Sequence, residues 1–429
     1  MNFNVLEEYN YWKSLPKALG LIRSEYLNRI EEYDQTSGMI VITGARRSGK
    51  SVLVKQYIDR LIKHEIPSKN ILYFNFYLRQ LTSFTKENEF FLAITAWTKL
   101  INRQYKSYII IDEVQELENW DHIVASLIED HTINSKIIIT GSNSKLLASE
   151  ATTKLSGRYY SITVYPFSYK EFSEAKKLDA QDSKTFISFM RSATSPEAIY
   201  AVSEDARDNL IEGIVYTTIQ KDIIERYNPS SPALLAKIVE FIRINSSQSF
   251  AMKSIKDTLN NQLSKKDHVG LVKIEEYFHF LKMVYFCHEC KIFSYRKKDV
   301  LNRANNKFYL NDWGMAVHGK EFERGRILEN IIFMELLKKK YEVMTYLSYS
   351  NSNLEVDFVA KKKNHNMFIQ VAWMLGDRKE NKQLYEREFG NLSSIREEGE
   401  KILISMDKVT SEAGILTMQP QYFIMKHLN

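Results

Sequence analysis

The sequence predicts an α/β protein organised around parallel strands, and three observations predict it. An apolar, β-branched run, MIVIT at 39–43, leads directly into the basic, glycine-containing turn GARRSGKS. A second apolar run, YIIIDEV at 108–114, ends in adjacent carboxylates. Between these runs, and again through residues 313–429, strand patterns alternate with helix patterns, which is the signature of a sheet flanked by helices.

At 429 residues the chain has room for roughly three ordinary domains, each with its own core. Formal charge is +6, from 59 Lys and Arg against 53 Asp and Glu, a balance too slight to indicate a nucleic-acid partner by itself. Two cysteines cannot build a disulfide framework, which fits a reducing compartment. No window approaches the ~18 uninterrupted apolar residues of a membrane span, and the first residues lack a basic-then-apolar leader. The expectation is a soluble cytoplasmic protein with no membrane partner.

MIVIT reads as a buried parallel strand because it is apolar throughout rather than alternating. GARRSGKS after it fits the spacing Gly, four residues, Gly, Lys, Ser or Thr, at Gly44, Gly49, Lys50 and Ser51. Glycines there let successive backbone amides curl around phosphate oxygens, and the helix beginning near Ser51 adds its positive end. In that pattern Lys50 reaches the β and γ phosphates and the Ser51 hydroxyl ligates Mg²⁺. The run Gly44, Ala45, Arg46, Arg47, Ser48, Gly49, Lys50, Ser51 and Val52 is thus the expected ATP-binding loop of a P-loop NTPase.

The strand at 108–114 supplies the element such a loop requires. Asp112 is placed to hold Mg²⁺ through water, and Glu113 to orient or deprotonate the attacking water, which points to hydrolysis rather than storage of nucleotide. Simple capping of the next helix is the other reading of this acidic pair. NILYFNFY (70–77) reads as a further buried strand, residues 90–104 and 119–131 as helices, and KIIITGSNSKLL (136–147) as a strand ending in polar residues. Ser142 or Asn143 is placed to sense the γ phosphate or position water, although glycine, serine and asparagine also favour plain turns.

These blocks, together with LSGRYYSITVYPFSYKEF (155–172), resemble the prokaryotic AAA-type ATPases that carry a carboxy-terminal domain of unknown function. The resemblance continues through YTTIQKDIIERY, KFYLNDWGM, RGRILENIIFMELL, EVDFVA and IQVAW, and so covers most of the chain. It implies ATP and Mg²⁺ at Gly44, Gly49, Lys50, Ser51, Asp112 and Glu113. It also implies Arg158 as an arginine finger, acting in cis or across a subunit boundary, with structural pairing as the alternative. Where the group shows a GGYP segment this chain has RSATSPEAIY (191–200), keeping Pro196 and losing the glycines, which puts in question any nucleotide contact by the backbone there.

The expected divisions are a P-loop ATPase domain over 1–175, a helical lid over 176–230, a winged-helix domain over 231–312 and a restriction-endonuclease-like α/β domain over 313–429. Three helices (232–245, 249–263, 272–286) followed by two short strands give the winged-helix order. Residues 265–307 hold ten Lys or Arg against five Asp or Glu, so Lys266, Lys273, Arg296, Lys297, Lys298 and Arg303 are candidate contacts to double-stranded DNA. Glu275 and Glu276 on the third helix count against that, and a spacer module or a protein partner stays open, as does oligomer formation. Cys287 and Cys290, with His279 and His288 near, lack a second ligand pair at zinc-site spacing. In the last domain Glu329, Asp357 and Gln370 are expected to converge like the metal site of a restriction endonuclease. Ala372 stands where such a nuclease carries lysine, so the expectation is a site without that cation, kept for binding or docking rather than cleavage.

Overall fold

The computed structural model describes the chain except residues 1–2, 18, 131–134, 145–158, 262–267, 294–304, 317–322, 349–353, 364, 409, 413 and 429. It forms two compact units, Met1–Tyr165 with Met283–Tyr285, and Pro166–Lys282 with Phe286–Asn429.

The first unit is a five-stranded sheet of β1 (Met39–Thr43), β2 (Ile71–Asn75), β3 (Ser107–Asp112), β4 (Ser135–Gly141) and β5 (Tyr159–Thr163), in the order β2-β3-β4-β1-β5. Every pairing is parallel. Alternation along each strand explains the apolar runs. Met39 and Val41 of β1 join Ile109 and Ile111 of β3 in one core, while Ile40 and Ile42 join Tyr108 and Ile110 in the other. Helices Glu87–Trp97 and Trp120–Glu129 cover the first face through Phe90, Ile94, Trp97, Ile123 and Leu127. Helices α1 (Ser24–Asp34) and α2 (Lys50–Lys63) cover the second through Leu27, Ile30, Leu53, Tyr57 and Ile58. A sheet buried on both faces has no position for an alternating polar residue, so its strands read as continuous hydrophobic stretches. The carboxyl ends of β1, β3 and β4 lie side by side, where an open parallel sheet places its ligand.

The second unit begins with short helices, α3 (Tyr169–Lys176), α4 (Ser183–Arg191), α5 (Pro196–Ile199) and α6 (Glu204–Thr217). Ser168 and Glu171 close a reciprocal capping box at the start of α3. There follow α7 (Pro232–Asn245), β6 (Ser249–Ala251), α8 (Met252–Asn261), α9 (Leu271–Met283), β7 (Cys287–Phe293) and β8 (Asn305–Leu310). The remaining elements are α10 (Arg324–Lys338), β9 (Glu342–Ser348), β10 (Leu354–Lys362), β11 (His365–Ala372), α11 (Lys382–Ser393), β12 (Glu400–Ser405) and β13 (Ile415–Met418). Its eight strands form one sheet in the order β13-β12-β11-β10-β9-β7-β8-β6. The β7–β8 ribbon joins the later strands because β7 pairs in parallel with β9. Cys287 and Cys290 both lie in β7, buried and three residues apart, so they face opposite sides of the strand.

The RSATSPEAIY segment is fastened by Asp312. Its carboxylate accepts from the amides of Thr194 and Ser195 at 2.8–3.0 Å, from the Ser195 hydroxyl at 2.9 Å and from the Gly314 amide at 3.0 Å. Gly314 is required there, since a Cβ would overlap Ala193. The amides that the absent glycines put in question are therefore engaged by an internal carboxylate.

Candidate nucleotide site

The loop between β1 and α2 has the backbone its sequence demands. Gly49 caps α2 with φ of 96°, Arg47 takes a left-handed φ of 64°, and a Cβ on Gly44 would collide with the Val164 carbonyl. Lys50 is buried, and its Nζ donates to the Gly44 and Ala45 carbonyls at 3.0 Å each. The ammonium is thus held inside the curve of the loop, where the phosphates of a nucleotide belong. The Ser48 hydroxyl is buried and, among the described residues, has no hydrogen-bond partner, which is the kind of orphaned donor that an incoming phosphate oxygen satisfies. Ser51 is half-buried at the first turn of α2, while the exposed Arg47 and half-buried Arg46 line the outer side. Arg46 Nη1 donates to the Tyr77 hydroxyl at 2.7 Å. By this test the loop fits a triphosphate with its divalent ion.

Two residues that sequence reasoning missed hold the loop from behind. Arg23 donates from Nη1 to the Ser48 carbonyl and from Nη2 to the Tyr165 carbonyl, both at 3.0 Å. Its own amide donates to Gln56 Oε1 on α2, and Gln56 Nε2 donates to the Leu19 and Leu21 carbonyls. Holding the Ser48 carbonyl in this way ties the loop to Arg23 and, through Gln56, to α2. Arg23→Met is therefore expected to weaken nucleotide binding about tenfold, the scale of one charge-assisted hydrogen bond, with calorimetric titration as the check.

Asp112, fully buried at the end of β3, is gripped on both oxygens. Thr140 Oγ1 donates to Oδ1 at 2.5 Å and the Tyr73 hydroxyl donates to Oδ2 at 2.9 Å. Thr140 also accepts from the Glu113 amide at 3.1 Å, so one hydroxyl on β4 aligns both acidic residues. Neither Tyr73 nor Thr140 carries a sequence signal of its own; each is an internal residue of a buried strand, placed beside Asp112 only by strand order. Glu113 is buried with φ of 60°, a conformation strained for a non-glycine residue and typical of functional turns. Burial pushes its carboxyl above the ordinary range, against the pull of the Lys50 ammonium, while neighbouring Asp112 pushes it the same way as burial. The Gln115 amide donates to Glu113 Oε2. Ser142 and Asn143 are buried at the end of β4, beside this strand end. Arg158 lies outside the described residues, as do Lys266, Arg296, Lys297, Lys298 and Arg303; Lys273 is described and pairs with Glu276 at 2.8 Å.

In the second unit Glu329, Asp357 and Gln370 come together, and the expectation that they do so without a lysine is corrected. Lys307 of β8, buried, extends its Nζ to Glu355 at 2.7 Å, Glu329 at 3.1 Å and Asp357 at 3.4 Å. The cation comes from a strand far upstream of Ala372, so a search confined to the strand carrying Gln370 could not find it. Its signal was a cation directly before the apolar residues FYL of the strand NNKFYL. Tyr309, two residues on and so on the same face, donates to Glu329 at 2.6 Å. The β9–β10 register shifts between Val356 and Val359, and Asp357 sits in that irregularity, which aims its carboxylate inward. Asp357 Oδ2 accepts from the Val371 amide at 2.9 Å, and the Asp357 amide donates to Gln370 Oε1 at 3.4 Å. Burial raises the Glu329 carboxyl to about 7, against the attraction of Lys307. Burial alone would lower the Lys307 ammonium, but the three carboxylates outweigh it and hold it charged. Among the described residues, no three His, Cys, Asp or Glu side chains are gathered so as to hold a metal ion.

Residues 36–173 match the family described as AAA domain, and residues 194–324 match a domain of unknown function, DUF8612. An uncharacterised protein of Haemophilus influenzae is 32% identical over 398 residues, covering 91% of this chain and 94% of that protein. An uncharacterised protein of Methanocaldococcus jannaschii is 26% identical over 370 residues, covering 82% and 79%. Among solved structures, a Walker-type ATPase of Pyrococcus abyssi shares 15% identity over 68% of this chain and 94% of its own, with a TM-score of 0.42. The Orc1 protein of Aeropyrum pernix, solved in complex with DNA, shares 14% identity over 75% and 96%, with a TM-score of 0.32. Among the described residues no helix is long and apolar enough to cross a membrane. The chain belongs to the family of the Haemophilus influenzae protein, and its first unit carries an AAA-type P-loop ATPase domain.

Proposed function

We propose that the protein is a Mg²⁺-dependent ATP hydrolase whose nucleotide state is coupled to the binding of a DNA or protein partner in the cytoplasm. The observation that carries this reading is the Asp112–Glu113 pair at the strand end beside the phosphate loop, with the Glu113 carboxyl shifted toward neutrality. Lys50 and the loop amides bind the β and γ phosphates, Ser51 and Asp112 hold the Mg²⁺, which supplies charge neutralisation, and Glu113 takes the proton of the attacking water. The order helix, strand, helix, helix and ribbon from α7 to β8 supports a winged-helix reading of the middle segment. The grouping of Glu329, Asp357 and Gln370 on a helix and two strands supports a restriction-endonuclease-like ancestry for the last. Lys307 occupies the point on which Glu329, Asp357 and Glu355 converge, where a nuclease would seat its metal ion, so cleavage is not the activity this reading assigns.

The Gln115 amide on Glu113 favours a second reading, a slow switch in which ATP binding holds one state and hydrolysis resets it. Phosphate release from purified protein with and without duplex DNA separates the two: stimulated turnover supports the coupled ATPase, and persistent near-zero turnover supports the switch. Glu113→Gln is expected to lower turnover by about a hundredfold or more while leaving ATP affinity within about threefold. Because the Glu113 carboxyl is raised, wild-type turnover should climb with pH through a midpoint above the ordinary carboxylate range, and that limb should vanish in the variant.

A further inference from the structure

Two clefts of about 610 and 400 Å³ in the second unit share Arg191, Ser192, Glu204 and Arg207, and so run into one groove beside α4, α5 and α6. Six basic side chains line it: Lys176, Lys184, Arg191, Arg207, Arg243 and Arg324. Three acidic ones do, Glu204, Asp208 and Glu212. Asp208 is paired with Arg207 at 2.8 Å, and Glu212 is paired with Arg243. What remains is Lys176, Lys184, Arg191 and Arg324 against Glu204, and these four cations are exposed. Among the described residues none of the four is salt-bridged to a carboxylate. An excess of three positive charges in one groove is half of the +6 carried by the whole chain. Tyr200, 52% exposed, does not itself line either cleft but flanks the groove in the chain, between Ile199 and Ala201, which both line it.

We propose that this groove binds single-stranded nucleic acid, the phosphates running along Lys184, Arg191 and Arg324 and a base stacking on Tyr200. A positive channel with an exposed aromatic at its edge is the physical signature of such binding, since every base offers a flat face and every phosphate a charge. An acidic peptide would use the charges and leave the tyrosine unexplained. The inference supplies the partner class and surface that the coupled-ATPase reading leaves open, and it differs from contact through the β7–β8 ribbon.

The test is fluorescence anisotropy of a labelled thymidine 20-mer with the full chain, without nucleotide, from about 50 to 200 mM salt. The Lys50→Ala protein is included, so that loss of the ATP reading leaves oligonucleotide binding intact and the two failures are told apart. The double variant Lys184→Glu/Arg191→Glu is expected to bind at least tenfold more weakly, and to flatten the salt dependence by about 1.4, at ~0.7 per lost phosphate contact. Tyr200→Ala is expected to cost roughly fivefold or more with the salt slope unchanged. Melting temperatures within two or three degrees of wild type would show that these surface changes leave the fold intact. No binding by wild type, unchanged affinity in the double variant, equal competition by polyglutamate, or loss confined to Lys273→Glu would each overturn the proposal.

Discussion

Replacing Lys50 with alanine is expected to weaken ATP binding by at least a hundredfold and to reduce turnover to background. The size follows from what the ammonium does. It is buried inside the loop, donates to the Gly44 and Ala45 carbonyls, and can turn from them to two phosphates without moving the backbone. Charge-assisted bonds to phosphate are worth about 1.5–3 kcal/mol each, and two of them account for a factor of a hundred or more. Lys50→Arg should not rescue, because a planar guanidinium cannot fit where a compact ammonium sits. Stability should fall only by about 1–2 kcal/mol, the loss of two bonds to carbonyls at the loop, so the variant should remain folded in circular dichroism. Calorimetric titration at millimolar Mg²⁺ is the check, and ATP affinity within threefold of wild type would remove Lys50 from the site.

The parts of this site that sequence displayed are those whose chemistry is local. Gly44, Gly49, Lys50 and Ser51 are contiguous because a phosphate loop is one turn, and Asp112 and Glu113 end an apolar run because they end a strand. The same locality made β1 to β4 readable, since burial on both faces leaves an unbroken hydrophobic stretch in each, whereas the edge strand β5, with Tyr160 exposed, carries no such stretch. Arg23, Gln56, Tyr73 and Thr140 were invisible for the opposite reason. Their contacts cross 25 to 142 positions of sequence and depend on which strands and helices become neighbours. Lys307 shows the limit most sharply. The expectation of a site without a lysine assumed that a cation must come from the strand that carries Gln370. Three dimensions require only that an ammonium reach the same point, and a lysine stem reaches it from β8.

That ammonium makes Lys307→Met the most destabilising single change expected in the second unit. Removing one partner from a buried ionic cluster leaves the others uncompensated, at a cost of about 3–5 kcal/mol. The cost should depend on pH in a definite sense. Burial raises the folded-state value of Glu329 from 4.5 to about 7, so the folded protein binds a proton that the unfolded chain has released. Stability from this group is therefore full below about 4.5 and is lost as pH rises toward about 7, at up to ~1.4 kcal/mol per unit. Lys307 is the group that pulls Glu329 and Asp357 down. Without it both rise further, and the loss continues to higher pH. At pH 5 the variant can protonate its carboxyls and should be nearly as stable as wild type, whereas at pH 8 it must keep them charged and unpaired, or pay to protonate them. Denaturant midpoints at the two pH values measure the difference. The double variant Lys307→Met/Glu329→Gln removes one of the stranded charges and should recover about half of the loss at pH 8. A deficit of the same size at pH 5 and pH 8 would mean that Lys307 acts through packing of its aliphatic stem rather than through its charge.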